Sequence, residues 1–311
     1  GMVMGVLGAV SKGAAMVFPG EGFQAEQTLD VIAAERGTAL YSVPTMFIAM
    51  LEQLEVCHRD MSSLRTGIMA GSPCPIDVMH RVNDVMHMRE VTICYGMTET
   101  SPVSFQSFTD DPIDKRCETV GRVHPHLAVK IVDPDGNTVP VGHKGELCTR
   151  GYAVMLGYWE DSAATDSSVI DDWMHTGDLA TLDADGYCTI VGRAKDMIIR
   201  GGENIYPREI EEFLIRHPKV MDAQVFGIPD DIYGEQVCAW VTHKPNTEDI
   251  AGGELIEYCK GKIAHFKLPA HVVVVESLPM TVTGKAQKYI MREKMQEMLS
   301  CDAHAISNRT A

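Results

Sequence analysis

Four short segments concentrate residue types that can do chemistry on a phosphorylated ligand bearing hydroxyls. Tyr95-Gly96-Met97-Thr98-Glu99-Thr100 sets a hydroxyl beside a carboxylate on a glycine turn, after the apolar stretch Val91–Cys94. Hard oxygen donors of this kind suit Mg²⁺ and phosphate, although Thr98 and Glu99 would serve equally well to cap a helix. His175-Thr176-Gly177-Asp178 puts a carboxylate after a glycine, where it can accept from both hydroxyls of a ribose or simply close a β-turn. Gly192-Arg193-Ala194-Lys195-Asp196 runs on through Arg200-Gly201-Gly202-Glu203 to Pro207. Its paired glycines suit a close approach of backbone to ligand, or an unusual φ in a plain turn. Pro279-Met280-Thr281-Val282-Thr283-Gly284-Lys285 presents a lysine on a threonine-rich loop. It lacks the leading Gly and trailing Ser/Thr of a Walker A loop, and alone it is one more solvated lysine.

The hydrophobic pattern marks out the elements that must position these segments. Residues 1–110 alternate apolar runs with helical periods. Ala14–Phe18 is expected as a buried strand ending at Pro19-Gly20, and Thr28–Arg36 as a helix that Thr28 can cap. Leu40–Val43 is expected as a strand and Pro44–Glu55 as a helix; Ile68–Ala70 runs into the turn Gly71-Ser72-Pro73. Such alternation predicts a largely parallel sheet. From 115 to 193, short strands punctuated by Pro134-Asp135-Gly136, Gly142, Gly157 and Asp185-Gly186 predict an antiparallel β subdomain.

After Arg193 the pattern changes again. A helix is expected over Ile205–His217, with Pro207 near its start and Ile210, Phe213 and Leu214 on one face. Strands follow at Ala223–Ile228 and Val237–His243, then a helix at Glu254–His265, a strand at His271–Glu276 and a last helix carrying Met291, Met295 and Met298. The fold class is α/β. The expected division is a large domain over 1–194 (an α/β part, 1–114, and a β part, 115–194), a small α+β domain over 195–299, and a tail from 300 to 311.

Composition bounds the function. At roughly 100–200 residues per domain, 311 residues suggest two domains. With 45% hydrophobic and 23% charged residues, the chain is neither disordered, collagenous nor a coiled coil. Its 27 Lys and Arg against 43 Asp and Glu give a net charge of −16, which disfavours nucleic acid or anionic lipid as a general partner. A phosphorylated ligand would need local donors working against that field. The nine cysteines are scattered singly, with no CxxC and no Cys/His metal spacing, so reduced thiols in an intracellular protein are expected. The longest uncharged apolar stretch, Thr38–Leu51, is too short for a membrane span and contains Pro44. The apolar start, Gly1–Val10, has no basic region before it, so a signal peptide is not expected. It reads like the interior of a domain, and a segment upstream is expected.

Together and in this order, the four segments resemble the adenylate-forming superfamily of acyl-CoA synthetases, peptide-synthetase adenylation domains and beetle luciferases, and within it the medium-chain acyl-CoA synthetases. Gly145-Glu146-Leu147, Arg150-Gly151, Gly157-Tyr158-Trp159, Gly227-Ile228-Pro229-Asp230 and Gly234-Glu235 extend the resemblance over nearly all of residues 1–299. It implies the back part of a large adenylate-forming domain followed by a complete small one, with ATP, a fatty acid and CoA as small-molecule substrates, Mg²⁺ as cofactor and the mitochondrial matrix as location.

The same resemblance implies roles. Gly71, Ser72, Pro73, Tyr95 and Gly96 would line the adenine slot; Thr98 would touch phosphate and Glu99 would hold Mg²⁺. Asp178 would take the ribose hydroxyls with Arg193 assisting, and Lys195 would be the hinge. Lys285 would bridge the substrate carboxylate and the α-phosphate, while Gly201 and Gly202 would line the approach of pantetheine. The family's phosphate loop and an aromatic–His segment are expected ahead of Gly1, and an Arg is usual where Lys288 stands. A second reading stands beside this one: an inactive fragment or isoform that binds a nucleotide, CoA or a protein partner.

Overall fold

The computed structural model describes residues 1–72, 74–244, 247–281 and 286–307, with side chains through 299. The chain divides into two compact units, Gly1–Ile190 and Val191–Ala311.

In the first unit, strands Ala39–Ser42, Thr66–Ala70 and Glu90–Tyr95 pair in parallel. Parallel neighbours need crossover connections, and the helices Pro44–Val56 and Ile76–Val85 supply them. Pro44 opens its helix where a missing N–H costs nothing. Phe47, Met50 and Leu51 from one helix and Val78, Met79 and Val82 from the other bury against Met69 and Val91 of the sheet. Strands Phe105–Gln106 and Arg122–Val123 continue the sheet antiparallel.

Two local expectations fail here. Ala14–Phe18 forms no strand, and Phe18 is 72% exposed. An apolar run becomes a strand only where a neighbouring ladder receives it, and the sheet of this unit begins at Ala39. Thr28 is no cap, because it lies inside the helix Ala25–Glu35. Its hydroxyl bonds back to the Gln24 carbonyl at 2.8 Å, the alternative open to a mid-helix threonine.

A second sheet of this unit is antiparallel throughout its central strands, Leu127–Val132, Gly145–Gly151 and Trp173–Leu182. Asp133 shapes the turn at one end: its Oδ1 accepts from the Asp135 and Asn137 amides at 3.0 and 2.9 Å, and Gly136 takes the positive φ. The middle pairing holds a large irregularity. Glu146 faces Leu179, but Cys148 faces His175. Leu147 alone therefore opposes three residues, Thr176, Gly177 and Asp178. Bulges re-aim side chains near sites, and this one consists of the Thr-Gly-Asp segment itself.

The second unit holds a sheet ordered from Glu203–Ile205 through Ile198–Arg200 and Gly234–His243 to Val220–Asp230, with His271–Val274 parallel to Gly234–His243. Its helix starts at Pro207 rather than Ile205, because Ile205 belongs to the preceding strand, and it ends at Ile215. The next helix spans only Gly252–Cys259, and Gly261 at φ 71° lies just past its end. The last helix, Lys288–Ser307, runs past the tail expected from 300. It buries Met291 and Met295 against Phe226 and Trp240 but leaves Met298 44% exposed.

Candidate active site

Gly71 and Tyr95 sit at the carboxyl ends of two adjacent parallel strands, where open α/β sheets bind ligands. Gly71 adopts φ 99°, and it and Ser72 are exposed. Pro73 lies outside the described residues. The Tyr95 hydroxyl donates to Asp178 Oδ2 at 2.5 Å. Burial, and then the Asp178 charge, push the Tyr95 phenol well above its ordinary range, so it stays protonated as the donor. Asp178 is 7% exposed, and the hydroxyl of Thr176 accepts its backbone N–H at 3.1 Å. Cys188 feels the same carboxylate: burial and then Asp178 push its thiol up to about 12.

Gly96 is fixed by sterics. A Cβ there would stand 2.0 Å from the Pro102 carbonyl oxygen and 2.7 Å from Val103 Cα. The chain then makes a single 3₁₀ turn, Thr98–Thr100, closed by the Thr100 hydroxyl accepting from the Met97 amide at 3.1 Å. Thr98 is exposed and Glu99 half-buried. Two contacts from the 152–158 loop hold Glu99. The Tyr158 hydroxyl donates to its Oε1 at 2.9 Å, and the Met155 amide donates to its carbonyl at 2.8 Å. The bond to Glu99 raises the Tyr158 phenol above its ordinary value. A carboxylate and a neighbouring hydroxyl, both hard oxygen donors on a turn that solvent reaches, fit a Mg²⁺ ion.

In the second unit, Arg193 and Lys195 are exposed, and Lys195 lies in the turn Ala194–Asp196. Gly201 and Gly202, at φ 60° and 86°, form the two-residue turn joining Ile198–Arg200 to Glu203–Ile205. Both central residues of such a primed turn need positive φ. The Gly201 amide donates to the Tyr233 carbonyl at 2.7 Å, and the Arg200 guanidinium stacks on the Tyr233 ring while donating to the Phe266 carbonyl at 2.8 Å. Lys285 lies outside the described residues. Lys288 forms a 2.6 Å ion pair with Glu211, which also accepts the Val225 amide at 2.8 Å.

The structure thus brings Tyr95 to Asp178 and gives Glu99 a partner in Tyr158. It also collects Glu146, Cys148 and His175 within 4.8 Å of one another. The spacing of the cysteines and histidines gave no sign of that cluster, since the His175–Cys148 separation in sequence is 27 residues. Only the strand register joins them.

A family model described as AMP-binding enzyme matches residues 1–159, and one described as AMP-binding enzyme C-terminal domain matches residues 209–285. The chain belongs to the AMP-binding enzyme family. Among relatives of this AMP-binding chain, the acyl-CoA synthetase homologue YngI of Bacillus subtilis (strain 168) is 52% identical over 96% of the chain and 55% of YngI. The mitochondrial medium-chain acyl-CoA ligase ACSF2 of Bos taurus is 43% identical over 96% of the chain and 49% of that protein. The amide bond synthetase McbA of Marinactinospora thermotolerans superposes with a TM-score of 0.80 at 31% identity, covering 88% of this chain and 55% of McbA. The chain spans about half the length of the curated relatives it matches.

Proposed function

We propose that the protein carrying this chain is an ATP-dependent acid–thiol ligase that activates a medium-chain fatty acid as its acyl-adenylate and transfers the acyl group to CoA. The observation that carries the reading is the Tyr95–Asp178 contact at the carboxyl end of the parallel sheet. Tyr95 fixes one oxygen of a nearly buried carboxylate on a bulge, a group suited to accept from ribose hydroxyls. In this reading Gly71, Ser72, Pro73 and Gly96 line the adenine slot.

Adenylation brings a carboxylate to an anionic α-phosphate, and repulsion is the obstacle. A lysine is a movable point charge that can sit between the two anions, and Lys285 takes that role in this reading. Thr98 would touch phosphate and Glu99 would hold Mg²⁺, which when bound neutralises the phosphates of the leaving group. Thiol attack needs the lysine withdrawn, so Lys195 serves as a hinge between the two steps, with Gly201 and Gly202 offering backbone along the path of the thiol. Arg193 assists at the ribose. Local donors, rather than bulk charge, thereby hold an anionic nucleotide against a chain of net charge −16.

YngI and ACSF2 support the thiol acceptor and ACSF2 the chain length, whereas McbA shares the fold and makes amides. The ACSF2 relatives favour a mitochondrial location, while YngI is bacterial. The test is product analysis on the longest natural form of the protein with ATP, Mg²⁺, CoA and saturated fatty acids from short to long. AMP and acyl-CoA forming in equal amounts, with medium chains fastest, is the expected result. ADP as the nucleotide product, or activation of amino acids only, contradicts the reading.

A further inference from the structure

Beneath the Thr176–Asp178 bulge, the strands Gly145–Gly151 and Trp173–Leu182 bring three donor groups to one point. Oε2 of Glu146 lies 2.8 Å from His175 Nδ1, and Sγ of Cys148 lies 3.6 Å from the same nitrogen. Cys148 and His175 face each other directly across the ladder. Glu146, two residues before Cys148, shares its face of the strand. Cys148 is fully buried and forms the floor, while the side chains of His175 and Glu146 are 22% and 28% exposed and leave a mouth to solvent.

We infer that Glu146, Cys148 and His175 form a three-ligand site for a borderline-soft divalent transition metal of the zinc type. Zinc combines thiolate, imidazole and carboxylate in tetrahedral sets, with bonds of about 2.3 Å to sulfur and about 2.0–2.1 Å to nitrogen and oxygen. Donors at those lengths and a tetrahedral angle stand about 3.5 Å apart for sulfur and nitrogen; the observed separation is 3.6 Å. The nitrogen–oxygen pair would open from 2.8 Å to about 3.4 Å, a small swing for a glutamate side chain. The metal takes the place of the proton on Nδ1, which goes to solvent while Nε2 takes one up so that the ring stays neutral; the Cys148 thiol releases its proton to solvent as it binds, and water at the open mouth completes the set. The sulfur ligand separates this site from the all-oxygen pair Thr98 and Glu99, which suits magnesium. The inference needs neither the nucleotide nor the ligase reading, because its readout is metal binding itself. The competing arrangement is a purely hydrogen-bonded one, in which Glu146 spans His175 and the Gly177 amide, 3.0 Å from its Oε1.

The experiment titrates chelator-treated protein with Co²⁺ alone and then displaces it with Zn²⁺, following absorption. One equivalent of Co²⁺ is expected to produce a thiolate-to-cobalt charge-transfer band that one equivalent of Zn²⁺ abolishes. Cys148→Ser and Cys148→Ala are expected to lose that band, His175→Gln to bind roughly tenfold or more weakly, and Cys57→Ser, at an exposed cysteine, to keep it. Circular dichroism of each variant checks folding, and the half-exposed His175 provides an arm that does not disturb the buried floor. Absence of the band in the unaltered protein overturns the inference. So does a band that survives in the folded Cys148 variants or an unchanged affinity in His175→Gln.

Discussion

The Tyr95 hydroxyl donates to Asp178 Oδ2 at 2.5 Å, linking residues 83 positions apart on two different sheets of the first unit. A hydrogen bond to a charged group contributes about 1.5–3 kcal/mol. Its phenol stays protonated because burial and the carboxylate both resist ionisation. Tyr95→Phe removes the bond and keeps the ring, which packs edge-on against Phe105 at 6.3 Å. The variant should fold and should bind AMP roughly tenfold more weakly by calorimetry. Unchanged affinity would separate the pair from nucleotide binding.

Gly96 is a steric requirement that can be tested by stability. Gly96→Ala forces a methyl onto the Pro102 carbonyl and Val103 backbone, and backbone cannot rotate away as a side chain can. A loss of about 1–3 kcal/mol or more in unfolding free energy is expected, read as a lower urea midpoint.

Much of this arrangement was legible in the chain. The strand–helix alternation up to Tyr95, the turn-rich β region and the four chemical segments all stand out in the sequence. What was not legible depends on register. Tyr95 meets Asp178 only because two sheets set those positions side by side, and His175 meets Cys148 only through the register of two strands of one sheet. No spacing rule spans 83 residues. Ala14–Phe18 misled because apolarity marks burial and not a partner strand, and Thr28 because a threonine can satisfy itself inside a helix as well as at its start.

Lys288 gives a stability prediction at the position where an Arg is usual. Its ammonium pairs with Glu211 at 2.6 Å, with side-chain exposures of 19% and 14%, and Glu211 also holds the Val225 amide. Removing the cation alone leaves a nearly buried carboxylate unpaired. Lys288→Met should cost about 2–4 kcal/mol in chemical unfolding, moderated by residual solvent. Lys288→Arg should restore most of it. Equal stability of the Met and Arg variants would show that the pair contributes nothing.

Burial holds His124 in the first unit and His217 in the second below the ordinary imidazole value. Both bind a proton more readily in the unfolded chain, so the unfolded state gains protons first as the pH falls. Stability is therefore full above the ordinary value of about 6.5 and declines below it. Asp111, Asp133, Asp183 and Asp230 are held low instead, and their share is lost only below about 3.8. Thermal midpoints should drop between about pH 7 and 5, and His124→Asn with His217→Asn should flatten that slope. A slope untouched by the double variant would contradict the assignment.

Adenylation of a carboxylate is the step on which the proposed function rests. The direct measurement is carboxylate-dependent exchange of labelled pyrophosphate into ATP, run without CoA on the longest natural form of the protein. Exchange is expected to require Mg²⁺ and a medium-chain fatty acid and to be abolished by Lys285→Ala, while thioester formation from supplied acyl-adenylate largely survives in that variant. Exchange with no fatty acid at all, or an equal loss of both steps in Lys285→Ala, would contradict the proposed function.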